Sequence, residues 1–502
     1  MPPGFESKSF IRNFVGVSLG NYGAIALSFV LNVILTWRLG AEQFGRLALL
    51  IMAVQVLACL IANWTLTGLI KFGTQEFIRT GSLAETFWAR TYIVAPWVVV
   101  AGIMIRIWQE EAAGYLSIPL WGVWVVFGYF LFSSLLLTVG SVFQASHRMD
   151  HYAVTLFLDK ALAILAVLVL PLPYARDPVM ILGCYALSSL LVSSWAVVSL
   201  GARMFLPVKV SREAICTLWR FSIPMIISTW VIIFGAQWID FAIIKHFLPF
   251  SDLGLYSLAS QVTGVVQQIT IISSTLLLPH FVLLIEKEAH TDIKAAVEKV
   301  MPYGFLGFAF LLSAVVFSAR LGMPLLFGPS FSGSVWPLML LMIATMGLAL
   351  FNTFSPLLNA HGLNWGITGI LIISVSTNVF TNLLFIPAYG INGAAIARVV
   401  AYTIAAGLML ALIQKRFGIR TLRLGLFGCP VLIAVLSAVV FEGSLFYLAG
   451  VIGVAASSYC LVYMFGLFSR EDLALAAQSN MPMFIKSGLA KVFPQKMGVT
   501  TT

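Results

Sequence analysis

Runs of about twenty apolar residues recur from one end of this chain to the other, and few architectures can absorb that pattern. A helix needs roughly 20 such residues to cross the ~30 Å hydrocarbon core of a bilayer. Hydrophobic residues make up 60% of the 502 residues and charged residues 10%, against about 25% charged in an average soluble domain. A water-soluble core of this size would leave large apolar patches exposed. In lipid every backbone group must find its hydrogen bond within the protein, which runs of this length achieve as helices. The chain is therefore read as an all-α polytopic membrane protein.

Charge clusters and Pro, Gly and Asn turns divide it into about fourteen spans: 14–37, 46–70, 91–107, 119–144, 153–171, 178–200, 219–243, 253–279, 301–321, 334–360, 365–387, 391–413, 424–442 and 447–468. The start, MPPGFESKSFIRNF, puts Lys8 and Arg12 ahead of an apolar segment too long for a signal-peptide core and without a clear small-residue cleavage site, so it reads as a retained first helix. Fourteen helices place both termini on one side. Loops on that side hold 21 of the 29 Lys and Arg, the other side holds 6, and Lys160 and Arg398 fall within spans. The positive-inside rule makes the 21-residue side, and both termini, cytoplasmic. The net charge of +10 is thereby an orientation signal, and no nucleic-acid partner is expected.

An internal repeat is visible. LGAEQFGRLALL (39–50) and LPFSDLGLYSLA (248–259) each follow a first long span and open the next, with Gly45 matching Gly254 at an offset of 209. FQASHRMDHY (143–152) and LNAHGLNWGI (358–367) both close a fourth helix and open a fifth. Six helices are thus duplicated in parallel, with the repeat axis along the membrane normal, and two helices follow. The expected organisation is an N-lobe (1–200), a C-lobe (201–413), two further helices (414–468) and a cytoplasmic tail (469–502). Lobes of this kind bracket a central cavity, and rocking one against the other gives alternating access.

Ready-made catalytic signatures are lacking. There is no GxxxxGK[ST] phosphate loop, HExxH motif or Cys/His cluster, and the five cysteines lie far apart, mostly inside apolar runs. Neither a metal nor another cofactor is implied. The longest stretches outside the membrane are about 20 residues plus the tail, too short for a catalytic domain. A transporter is expected rather than an enzyme, unless a site lies within the bundle.

Polar residues inside the spans form stripes at helical spacing. Asn21, Ser28 and Asn32 share a face in span one, and Ser257, Gln261, Gly264, Gln268 and Thr275 share one in span eight. Span seven aligns Ser222, Thr229 and Asp240, and span eleven aligns Ser374, Asn378 and Thr381. Each stripe alone is compatible with helix–helix hydrogen bonding; together, in the leading helices of both halves, they favour a wet cavity, because amides facing lipid would be unsatisfied.

Charges add direction. Asp159 and Lys160, in TLFLDKALAILAVLVL, sit in an otherwise apolar run, at a cost of roughly 2.5–3.5 kcal/mol each on insertion scales. Neighbours on a helix point about 100° apart, so these two are not expected to form a self-contained pair. Lys160 either snorkels or faces a passage, whereas the short Asp159 needs water or a partner. Asp240 and Arg398 pair with each other or line a cavity, and Arg38, at the outer mouth of span one, anchors at the interface or faces the passage. Cations suit an anionic cargo, and a titratable carboxylate can couple a route to a proton or sodium gradient. The candidate substrate-binding residues are therefore Asn21, Asn32, Arg38, Lys160, Gln261, Gln268, Asn378 and Arg398, and the candidate ion-coupling residues Asp159 and Asp240.

RLGAEQFGRLALL after the first helix, KFGTQEF after the second, FSIPMIISTW opening the seventh and IPAYGINGAAIARVVAY between the eleventh and twelfth resemble the polysaccharide-transporter branch of the MOP superfamily, the Wzx-type flippases. The resemblance covers roughly residues 8–420. It implies a V-shaped two-lobed bundle in an inner membrane that moves polyprenyl-diphosphate-linked oligosaccharide repeat units to the outer leaflet, sugars and diphosphate in the cavity and lipid tail in the bilayer. It also implies membrane lipids and polysaccharide polymerase or export machinery as partners, in cell-surface polysaccharide biosynthesis. Two alternatives remain at this point: a multidrug or cation antiporter of the same superfamily, and a membrane-embedded glycosyltransferase or polymerase.

Overall fold

The structure, a computed structural model, describes residues 7–171, 173–208, 210–233, 238–441 and 443–467. The expected tail, 469–502, lies outside the described residues, as does the side chain of Asn21. Among the described residues there are seventeen α-helices and no strand, so the all-α expectation holds.

The chain forms two compact units. The first holds residues 1–265 with 321–337 and 371–397; the second holds 266–320, 338–370 and the chain from 398 onward. The first unit contains α1 (Ser7–Ile61), α2 (Leu66–Thr80), α3 (Ala84–Ile107), α4 (Gln109–Leu116), α5 (Leu120–Ala145), α6 (Met149–Val169), α7 (Pro178–Leu200), α8 (Arg212–Ile233), α9 (Ile239–Phe247) and the start of α10 (Phe250–Glu286). The remaining helices are α11 (His290–Ala295), α12 (Met301–Phe327), α13 (Val335–Ala360), α14 (Asn364–Tyr389), α15 (Ile391–Phe417), α16 (Cys429–Val440) and α17 (Gly443–Met464).

Among the described residues eleven stretches are long and apolar enough to cross a membrane. One of them, Tyr22–Ile61, has 40 residues, about 60 Å of helix and twice a bilayer core. It is two helices joined at Gly40, whose φ of 69° and ψ of 177° leave the helical region, a conformation glycine adopts without steric cost. With that division, α8 taken with α9, and the 37-residue α10, the helices are consistent with fourteen crossings. Apolar side chains cover their outer faces: on α3, Trp97, Val100, Ile103 and Ile107 are exposed, as a bilayer-facing helix requires.

One helix begins earlier than the charge pattern indicates. Arg90, counted above with a loop, sits 5% exposed inside α3. Its Nε donates to Thr65 Oγ1 and its Nη1 to Thr138 Oγ1, both at 2.8 Å, and Nη2 reaches the Ala62 carbonyl at 3.4 Å. Ala62 precedes and Thr65 ends the short 3-10 turn between α1 and α2, so Arg90 satisfies backbone and hydroxyl groups freed where the helix breaks.

The repeat has a physical counterpart in the first unit. A methyl group added at Gly45 would meet the Phe250 carbonyl oxygen and the Gly254 nitrogen, and one added at Gly254 would meet the Ala41 carbonyl oxygen and the Gly45 nitrogen. Positions 41 and 250 differ by the same 209 as 45 and 254, so the contact is reciprocal. The two repeat-related helices cross backbone to backbone at a local two-fold relation, which two glycines permit and any Cβ obstructs. Phe250 beside the crossing receives the Arg46 guanidinium at 5.1 Å and the Lys245 ammonium at 3.9 Å from its ring centroid.

In the second unit, Gly347 packs on the Tyr402 backbone and Gly450 on Phe317 and Ser437. Arg320 donates to the Ala438 carbonyl at 2.6 Å and lies 4.6 Å from the Phe446 ring centroid, tying α12 to the α16–α17 hairpin.

Candidate functional site

Within the first unit, α6 carries Asp159 and Lys160. They do form an ion pair: Lys160 Nζ donates to Asp159 Oδ2 at 2.9 Å. The expectation that neighbours would point apart is corrected here. Their Cβ atoms do diverge, but the four-carbon lysine stem spans the arc and brings the ammonium back. Asp159 is held from α7, where Ser189 Oγ donates to Oδ1 at 2.9 Å and Ser188 Oγ to the Asp159 main-chain carbonyl at 2.6 Å. The pair is asymmetric in access, with side-chain exposures of 36% for Lys160 and 11% for Asp159.

Lys160 projects into a pocket of about 280 Å³. Ser28, Asn32 and Gln55 of α1 line it, with Tyr129 of α5 and Tyr185 of α7. From the second repeat come Trp238, just ahead of α9, and Ser257 and Gln261 of α10, whose side chains bond to each other at 3.2 Å. Among the described residues that line it, Lys160 is the one formally charged group. Hydroxyls, amides and a single ammonium make a site for an anionic, hydroxyl-rich group.

A second cavity of about 530 Å³ lies among α1, α2, α5, α6 and α7. Gln55, Tyr129 and Lys160 border it too, while Asp159, Ser189, Thr155, Tyr152 and Gln144 border only this one.

Asp240 lies in a different, closed setting. It is 0% exposed; Oδ2 accepts from the Tyr256 hydroxyl at 2.6 Å, and Oδ1 from Asn378 Nδ2 at 2.7 Å and Asn382 Nδ2 at 2.6 Å. Charge-assisted bonds of this kind fix α9, α10 and α14 together in the first unit. Spacing had aligned Asn378 with Thr381; the residue that joins it at the carboxylate is Asn382, one helical turn on.

The structure thus gathers Asn32, Lys160 and Gln261 at one pocket, and Asn378 with Asp240 in a buried cluster. Arg38 is placed elsewhere: Nη1 donates to the Val167 carbonyl at 2.5 Å, in the last turn of α6. Gln268 is half-buried on α10, and Arg398 is buried on α15, both in the second unit. Tyr129, Tyr185 and Trp238 escaped sequence reasoning because aromatics in apolar runs look like core, whereas Gln55 carried a signal as an amide inside the apolar run LLIMAVQVLACL. Asn382 carried a signal, its i,i+4 spacing from Asn378. Among the described residues no group of three His, Cys, Asp or Glu could hold a metal ion.

A family model described as polysaccharide biosynthesis protein matches residues 10–285. Among curated proteins none matches the chain in sequence. Solved structures match in fold. The lipid II flippase MurJ, in an inward closed conformation, aligns with a TM-score of 0.67 at 12% identity over 89% of this chain and 98% of its own. The Vibrio cholerae MATE transporter VcmN, in the bent form, aligns with a TM-score of 0.51 at 14% identity over 84% of this chain and 98% of its own. An outward-facing multidrug resistance MATE family transporter of the MOP superfamily aligns with a TM-score of 0.51 at 13% identity, covering 83% and 97%.

Proposed function

The chain belongs to the polysaccharide biosynthesis protein family, and from that premise we propose that it is a flippase carrying polyprenyl-diphosphate-linked oligosaccharide repeat units across the inner membrane by alternating access. The observation that carries the proposal is the pocket around Lys160. Among the described residues its single charged lining group is a cation, and hydroxyls and amides surround that cation from both sequence repeats. A lysine recognises phosphate oxygens as a point charge, and amides and hydroxyls suit sugars. At about 280 Å³ the pocket is smaller than the ~300–1,000 Å³ that encloses drug-sized ligands, so it takes the diphosphate end of such a molecule, with the sugars extending beyond.

Residues 1–200 and 201–413 are the two rocking lobes in this reading, residues 414–468 add two helices, and both termini are cytoplasmic. Asn32 and Gln261 bind the cargo beside Lys160. Asn21, Arg38, Gln268, Asn378 and Arg398 guide or support it, and Asp159 and Asp240 couple it to a proton or sodium gradient. Membrane lipids and the polymerase and export machinery for a surface polysaccharide are the partners. The test is transport by the full chain in liposomes, using a fluorescent polyprenyl-diphosphate-linked oligosaccharide. Wild type should move the probe between leaflets and Lys160→Gln should not, at equal protein levels. Exchange of organic cations for protons, with no movement of the lipid-linked probe, would overturn the proposal in favour of an antiporter.

A further inference from the structure

The two members of one ion pair border different spaces. Lys160 lines both cavities, whereas Asp159 lines only the larger chamber among α1, α2 and α5–α7. The ammonium is the more accessible partner, and the carboxylate is the one fixed in the wall, by Ser189 at 2.9 Å. An anion arriving in the smaller pocket therefore meets the lysine and not the aspartate. To bind, it must compete with Asp159 for the same ammonium.

Resting on the reading above that the cargo carries a phosphate, we propose that Asp159–Lys160 is a counterion switch. The arriving anion takes over Lys160, and Asp159, left in the chamber wall, takes up one proton. The ammonium gives up its hydrogen bond to Asp159 Oδ2 and donates to a phosphate oxygen. Oδ2 then gains a proton delivered from solvent along the chamber, while Oδ1 stays held by Ser189. The wall starts with one ammonium and one carboxylate and ends with one ammonium and one phosphate charge, so its net charge is kept by the proton. A carboxylate stripped of its counterion in so enclosed a place is neutralised rather than left charged.

The neighbours leave this role to Asp159. Tyr129 of α5 and Tyr185 of α7 line the smaller pocket with Lys160, and the Cys184 thiol neighbours Tyr185. Phenols and a thiol keep their protons at neutral pH. From α1 the pair meets the uncharged Gln55, and Arg38 is engaged in the last turn of α6. The chamber wall continues from Asp159 through Thr155 and Tyr152 to Gln144, hydroxyls and an amide able to hold the water a proton route needs.

The test is binding of farnesyl diphosphate to the full chain in nanodiscs across the neutral pH range. The probe's own titration cancels between wild type and variant. Wild type should bind about tenfold more tightly for each pH unit lowered, in excess of Asp159→Asn, as uptake of one proton requires. Asp159→Asn should bind tightly throughout, its lysine already released, and Lys160→Gln should bind about tenfold or more weakly. Equal pH dependence in wild type and Asp159→Asn overturns the switch while leaving the cargo reading standing. No binding by wild type overturns both. Should the variant fail to fold, infrared difference spectra of wild type decide: farnesyl diphosphate should raise a protonated-carboxyl band that shifts in heavy water, and its absence overturns the proposal.

Discussion

Arg90 meets its buried guanidinium's needs with two threonine hydroxyls and a main-chain carbonyl, each reached by a different nitrogen of the planar fork. A lysine has one nitrogen and cannot reproduce that geometry. Arg90→Lys should cost about 2 kcal/mol, and Thr138→Val about 1 kcal/mol, read as graded falls in melting temperature of the detergent-purified protein. In the Asp240 cluster, Asn382→Ala removes a 2.6 Å bond to a buried carboxylate and should cost about 1.5–3 kcal/mol in the same measurement. Asp240, Asn378, Asp159 and Lys160 were legible beforehand because a polar group in an apolar run stands out. Arg90 was not, since it follows the polar stretch 71–89 and looks like part of a loop. The Asp159–Lys160 bond was hidden as well, because helical geometry fixes Cβ directions and says little about where a flexible four-carbon stem ends.

At the scale of elements, the crossing of α1 and α10 makes a sharper prediction. Gly45→Ala and Gly254→Ala each place a methyl group against a main-chain oxygen of the opposing helix, which a backbone cannot swing aside as a side chain would. Both should part the helices and lower probe transport, and spin labels on α1 and α10 should report a longer separation in each. Gly183→Ala serves as control: it faces open space in α7 and should be neutral or stabilise by about 0.5–1 kcal/mol through helix propensity. The 209-residue offset was readable from the glycine motifs. That the paired glycines touch each other was not, because a repeat establishes equivalence between segments without saying which of them meet. The break at Gly40 was half legible, as the Arg38-Leu39-Gly40 boundary between two apolar runs, although the helix resumes at once with no loop.

For the whole molecule, the distribution of Lys and Arg predicts orientation. A fluorescent protein fused after Thr502 should fold and fluoresce in the cytoplasm, and alkaline phosphatase fused at the same point should stay inactive; the opposite pair of results would invert the assigned topology. Membrane character was the most legible property of all, because the bilayer imposes length and apolarity on every span separately. The pocket was the least legible. It draws Asn32 and Gln55 from the two helices that meet at Gly40, Lys160 from a third and Gln261 from a fourth some hundred residues further on, and periodicity within one span is silent about its neighbours.

At the contact between Gly45 and Gly254 two smooth main-chain surfaces press together, with no side chain of either residue between them. Such a seam has one closed setting, because a main chain cannot shift to a new rotamer as a side chain does. The same smoothness makes it vulnerable: any object as thick as one methyl group, whether a mutation or a wedge-shaped inhibitor, would jam it ajar.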